Sequence, residues 1–140
     1  MEQDFKVAVL ACSGIGRLVS TIVRQAAYML RQDRPDNVVL VSSGSLTGDV
    51  PDALEMARKY PLIVIDGCRP RCASALARGK GIEPAATIWV ADVVARHKLS
   101  LAGENRQALG EKGHAVARKL ADEALEKIDL IIAEDMVSTL

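Results

Sequence analysis

Aromatic side chains are scarce: Phe5, Tyr28, Tyr60 and Trp89 make up 3 % of the 140 residues. So few ring faces leave little for bases to stack on, which argues against single-strand nucleic-acid binding. Net charge is lacking too, because 18 Lys and Arg balance 18 Asp and Glu. Without a basic excess the chain has no electrostatic footprint for nucleic acid, and no such partner is expected. No run of about 18 apolar residues occurs, so no membrane span and no membrane partner are expected. The start, Met1–Leu10, alternates charge with short apolar steps and reads as a strand rather than a secretory leader. There are only three cysteines, Cys12, Cys68 and Cys72. An odd count without a leader excludes a disulfide framework and predicts a reducing, cytoplasmic setting. Repeats, linkers and low-complexity stretches are absent as well.

What is present is a core. Apolar residues are 49 % of the chain, ample for one domain over residues 1–140 with no metal needed merely to fold. Phe5–Ala11, Val38–Val41, Leu62–Ile65 and Ala86–Val90 are short apolar runs ended by turn residues and read as strands. Between them Leu18, Ile22, Val23, Ala26, Ala27 and Leu30 recur at helical spacing. Pro51 opens a short helix reaching about Lys59, and Pro70 opens another, closed by Gly79 and Gly81. Ser100–Gly113 reads as loop with one ragged helical turn, and Ala115–Lys127 as helix. Leu130–Ala133 fits either a last strand or the end of that helix. Strands alternating with helices predict an α/β fold of three layers: a mostly parallel sheet of four to five strands with helices on both faces, Rossmann- or flavodoxin-like. Near-continuous apolar strands agree, since parallel strands are buried on both faces.

In such sheets ligands bind beyond the carboxyl ends of the strands, and every cysteine-bearing segment falls there. Cys12 follows the first strand, Cys68 follows the third, and Cys72 comes four residues later. A helix opening near Cys68 would set Cys68 and Cys72 on one face of its first turn. Helix N-termini favour thiolate over thiol, and Arg69 and Arg71 add positive charge. Converging thiolates repel one another and a soft cation relieves that repulsion, which points to Zn²⁺ or an iron–sulfur cluster. The bland alternative is three small buried cysteines that meet no metal.

Asp66-Gly67-Cys68 with Cys72 four on resembles the signature of the DGC-domain family. Cys12-Ser13-Gly14, the strand Leu62–Ile65, Gly81-Ile82 and Val90-Ala91-Asp92 fall in the family's order, so the resemblance runs from about Lys6 to Lys98. It implies a zinc-binding protein without naming a substrate, and leaves open whether it is an enzyme. It implies that Cys12, Cys68 and Cys72 hold the metal. The family's remaining cysteine lies at the end of the second strand, where this chain reads Val41-Ser42-Ser43-Gly44. A serine hydroxyl is a poor zinc ligand, so four-sulfur closure is lost. Water, Asp66, Asp92, His97, Ser42 or Ser43 is left to complete or flank the site, and an open position marks a reactive metal rather than a structural one. The partner would be a small molecule or a protein.

Two other readings centre on the thiols. Cys12-Ser13-Gly14-Ile15-Gly16-Arg17 also resembles the active-site loop of phosphotransferase-system IIB proteins, which implies a phosphocarrier with phosphocysteine at Cys12. Backbone N–H groups at Ser13, Gly14 and Gly16 would cradle the anion, with Arg17 as clamp. Alternatively the thiols sense redox state, Cys12 being freer to pair than two cysteines within one helix. Asp66 is expected to serve first as a cap, Asp92 as a turn residue, and His97 and His114 as solvated side chains. Arg69 and Arg71 either offset thiolate charge or meet an anionic substrate.

Overall fold

The computed structural model describes residues 5–138 apart from Ser13 and Ile15. The chain runs β1 (Val7–Ala11), α1 (Leu18–Asp33), β2 (Val38–Val41), α2 (Ser43–Thr47), α3 (Pro51–Lys59), β3 (Leu62–Asp66), α4 (Cys72–Gly79), β4 (Ala86–Trp89), α5 (Val90–Arg96) and α6 (Glu111–Ser138). The four strands form one parallel sheet in the order β2-β1-β3-β4. The central pair is in register with Ala8 beside Leu62 and Ala11 beside Ile65. Helices α1 and α6 pack together on one face with α5 beside α6, while α3 and α4 belong to the other. This is the open three-layer α/β arrangement expected.

The strands are apolar because both faces are covered. Val7–Leu10 and Leu62–Ile65 are each at most 1 % exposed, and burying such a side chain stabilises by roughly 1.5–3 kcal/mol. Helix α1 presents Ile22, Val23, Ala26, Ala27 and Leu30 to the core. Helix α6 lays Val116, Leu120, Ala124, Ile128 and Ile132 along one side, one residue per turn. Ion pairs tie its outer edge to α1: Arg118 to Asp33 at 2.5 Å and Arg34 to Asp129 at 2.7 Å. They are partly exposed, worth at most about 1 kcal/mol each.

Local stops follow the residues. Pro51 starts α3, where its missing N–H costs nothing. Helix α4 ends with Gly81 at φ +75°. The Gly81 N–H donates to Arg78 O and the Ile82 N–H to Ala77 O, the paired closure that a left-handed residue makes possible and glycine favours.

One alternative left open is resolved: Leu130–Ala133 is helix, and no fifth strand occurs among the described residues. Three details differ from the expectation. Strand β4 stops at Trp89 and α5 begins at the next residue; a strand and a helix joined without a loop leave no turn signal to read. The segment Ser43–Thr47 is a short helix capped by Ser42, whose hydroxyl accepts from the Ser45 N–H at 3.3 Å. Helix α4 opens at Cys72, not near Cys68.

Candidate metal centre

The sheet order creates the site. From β1 the chain crosses to β2 on one side, and from β3 it crosses to β4 on the other. Connections leaving neighbouring strands in opposite directions open a crevice at their carboxyl ends. Cys12 stands at the end of β1, its N–H bonded to Ile65 O of β3 at 3.2 Å. Cys68 stands two residues past the end of β3. The two cysteines thus flank the crevice, and Cys12, Cys68 and Cys72 all line one cleft of about 350 Å³.

Asp66-Gly67-Cys68 divides the work of building that edge. The Asp66 side chain is buried, and both its oxygens serve the start of α4. Oδ1 accepts the Ser74 N–H at 3.1 Å and Oδ2 accepts the Ser74 hydroxyl. It therefore caps from the preceding strand a helix whose own N-cap residue, Arg71, supplies no side-chain bond. Gly67 lies against the first turn of α1. A Cβ there would stand 3.1 Å from the carbonyl carbon and oxygen of Val19, closer than most side chains tolerate. Cys68, buried, is then presented at the turn.

Arg71 holds a left-handed conformation at φ 55°, which costs a non-glycine residue roughly 1–3 kcal/mol. Its guanidinium lies over the Trp89 ring, 4.1 Å from the centroid, a cation–π contact worth about 0.5–2 kcal/mol in return. The turn folds back so that the Arg71 N–H bonds Cys68 O at 3.1 Å and the sulfurs of Cys68 and Cys72 meet at 3.4 Å.

That meeting splits the two thiols. The Cys72 backbone N–H at the helix start, above all, holds the Cys68 pKa below the ordinary thiol value; burial opposes it, and the Cys72 thiol and the Arg71 N–H assist. Cys72 is pushed up, first by the side-chain hydrogen bond it shares with Cys68 and then by the Cys68 charge. Cys12 raises Cys72 further and Arg17 offsets this. Cys68 is thus the first of the pair to ionise. Cys12, also buried, has its sulfur 3.5 Å from the buried Ser20 hydroxyl.

Two sulfurs on one tetrahedral zinc, each at about 2.3 Å, stand roughly 3.8 Å apart. The Cys68–Cys72 pair is near that spacing, and Cys12 shares its cleft. Among the described residues, however, no three His, Cys, Asp or Glu side chains stand as a ready metal-holding group. The donor chemistry suits a thiophilic cation; the third sulfur is a neighbour in the cleft rather than a member of the close pair.

The remaining candidate residues separate. Ser43 lines the cysteine cleft. Ser42 caps α2 and lines an adjoining groove. Asp66 is committed to Ser74. Asp92 is exposed in the first turn of α5, and His97 is exposed at the far end of that helix, roughly 10 Å along the axis at 1.5 Å per residue. Neither lines the cleft. Arg69 is exposed, Arg71 rests on Trp89, Gly14 and Arg17 line the cysteine cleft, and Gly16 is exposed in the β1–α1 loop. Ser13 lies outside the described residues. Sequence reasoning missed Ser20, Trp89 and Thr47, which also lines the cleft. Ser20 alone carried a local signal, as a small polar residue within the apolar stripe of α1.

In comparison with known proteins, the DGC domain model matches residues 8–113. No curated protein and no solved structure matches the chain. Among the described residues no helix is long and apolar enough to cross a membrane.

Proposed function

The chain belongs to the DGC-domain family, and on that premise we propose that it binds Zn²⁺ through the thiolates of Cys12, Cys68 and Cys72 at the carboxyl edge of the sheet. The observation that carries this reading is the 3.4 Å pairing of the Cys68 and Cys72 sulfurs in a cleft that Cys12 also lines. The lowered pKa of Cys68 readies one ligand, since sulfur binds metal as thiolate. The chain's own residues supply the charge balance: the positive charge of Arg17 lowers the Cys72 pKa and so favours its thiolate. Asp66 and Gly67 position the turn and bring no donor atom of their own. With Ser43 in the cleft where a fourth sulfur would close the site, the fourth position stays open. A zinc ion bound there would act as a Lewis acid or lower the pKa of a bound water. An activity screen with and without chelator separates an enzyme from a carrier or sensor.

The test is zinc content per chain by plasma emission spectrometry, on untagged protein purified anaerobically, beside Cys68→Ser. About one zinc per chain, lost in the variant, is the expected result. A metal-free wild type overturns the reading. The close sulfur pair then favours a dithiol, in which Cys68 and Cys72 give up two protons and two electrons to a disulfide oxidant and form one S–S bond. The phosphocysteine reading at Cys12 leaves that pair without a role.

A further inference from the structure

A second groove, of about 290 Å³, adjoins the cysteine cleft and shares Cys12 and Ser43 with it. It opens between α1 and β2 and has an apolar lining that includes Val9, Ala11, Leu40 and Val41. Helix α1 contributes Arg24, Ala27 and Tyr28 to it, which share one face at spacings of three and four. No Asp or Glu lines the groove.

Arg24 is the anomaly. Most arginines of the chain are engaged: Arg31, Arg34, Arg58, Arg71, Arg78, Arg96 and Arg118 each have a hydrogen-bond, ion-pair or aromatic partner. Among the described residues, those without one are Arg17, Arg69 and Arg106, which are exposed, and Arg24, which is half-buried. Arg24 thus presents a guanidinium with no counter-charge beside an apolar lining, and an anion in the groove would pair with it.

We propose that this groove binds a small organic monocarboxylate with an apolar body, its carboxylate paired with Arg24. The charge follows from the lining: one guanidinium balances one negative charge, and its planar fork fits a carboxylate in two parallel bonds. The size follows from the volume, which is at the small end of ligand pockets and suits a body of about one ring. Because Cys12 lines both clefts, the bound acid reaches the thiol site. The inference stands on the groove alone and does not need the metal.

The experiment is a fluorine-NMR titration of the full chain with para-fluorophenylacetate and, separately, with its uncharged amide. The acid binds saturably and the amide does not. Arg24→Gln weakens the acid by about tenfold or more, the worth of a charge-assisted bond. The acid also slows alkylation of Cys12 by iodoacetamide, read by peptide mass spectrometry, while Cys72 keeps its rate. Equal binding of acid and amide, binding of neither, or an Arg24→Gln variant as tight as wild type overturns the proposal; the acid–amide comparison on wild type needs no variant to fold. Zinc is measured on the same samples. Zinc-free protein that binds the acid overturns the metal reading alone, and zinc-loaded protein that ignores the acid overturns this one alone.

Discussion

Replacing Asp66 separates a cap from a metal ligand. The carboxylate is 1 % exposed and receives both the N–H and the hydroxyl of Ser74, itself 2 % exposed. Asp66→Ala strands two buried donors, at about 1–3 kcal/mol each, and uncaps α4 in the same stroke. We expect a loss of about 3–5 kcal/mol. With a urea slope near 2 kcal/mol per molar for a chain of this size, the midpoint falls by roughly 2 M. Asp66→Asn is different. Its carbonyl oxygen still accepts the Ser74 N–H, and its amide donates to the Ser74 oxygen in place of receiving from it. Only the charge assistance is lost, so the expected cost is about 1–2 kcal/mol. The assay is urea unfolding of reduced, chelator-treated protein by far-ultraviolet circular dichroism, with zinc uptake measured alongside. Asp66→Asn should keep its zinc. If Asp66→Ala costs less than about 1 kcal/mol, the capping argument is refuted. If Asp66→Asn folds as well as wild type yet takes up no zinc, the carboxylate is a ligand and the assignment of Asp66 to Ser74 is mistaken.

Three further outcomes are expected. In metal-free protein, thiolate absorbance should rise in separate steps, with a first step below the ordinary thiol range that Cys68→Ser abolishes. Because the folded pKa of Cys68 is depressed, its thiolate stabilises the fold fully above the unfolded value and less as pH falls through the folded one. Cys72, raised, contributes in the opposite sense, stabilising below the unfolded thiol value and losing that contribution as pH rises through its folded one; urea midpoints of Cys68→Ser and Cys72→Ser across this range check both signs. Gly67→Ala should cost about 1–3 kcal/mol, because its methyl meets the Val19 backbone, and should weaken zinc uptake by displacing Cys68; unfolding midpoints and a competition titration against a chromogenic chelator measure the two effects. Trp89 is the single tryptophan and touches the residue just before Cys72, so zinc addition should change its fluorescence in wild type and leave it unchanged in Cys68→Ser.

The layers of the fold were legible because their signals are local. Val38–Val41 and Leu62–Ile65 are apolar runs bounded by polar turns, and the α1 stripe repeats at helical spacing; each announces itself within a few residues. Elements without such punctuation were not legible. Helix α5 follows β4 without a break, and Leu130–Ala133 is a run of apolar residues that suits strand and helix equally until the packing of α6 on α1 decides. The cysteines were readable as a strand-end set, since position after a strand implies the carboxyl rim.

What no local pattern contains is the partner of each group. Asp66 meets Ser74 only because β3 and α4 fold back on one another. Arg71 holds its left-handed turn over a tryptophan 18 residues later in the chain. Cys12 finds Ser20, and Arg24 stays unpaired, through the way α1 packs on the sheet. His97, close to the rim by sequence order, is carried away from it by one helix. Residue type and spacing by themselves determined the layers and the strand-end thiols. Which thiol ionises first, which carboxylate is spent as a cap and which cation is left for a ligand were decided by the tertiary structure, because hydrogen bonding, desolvation and charge pairing depend on neighbours in space.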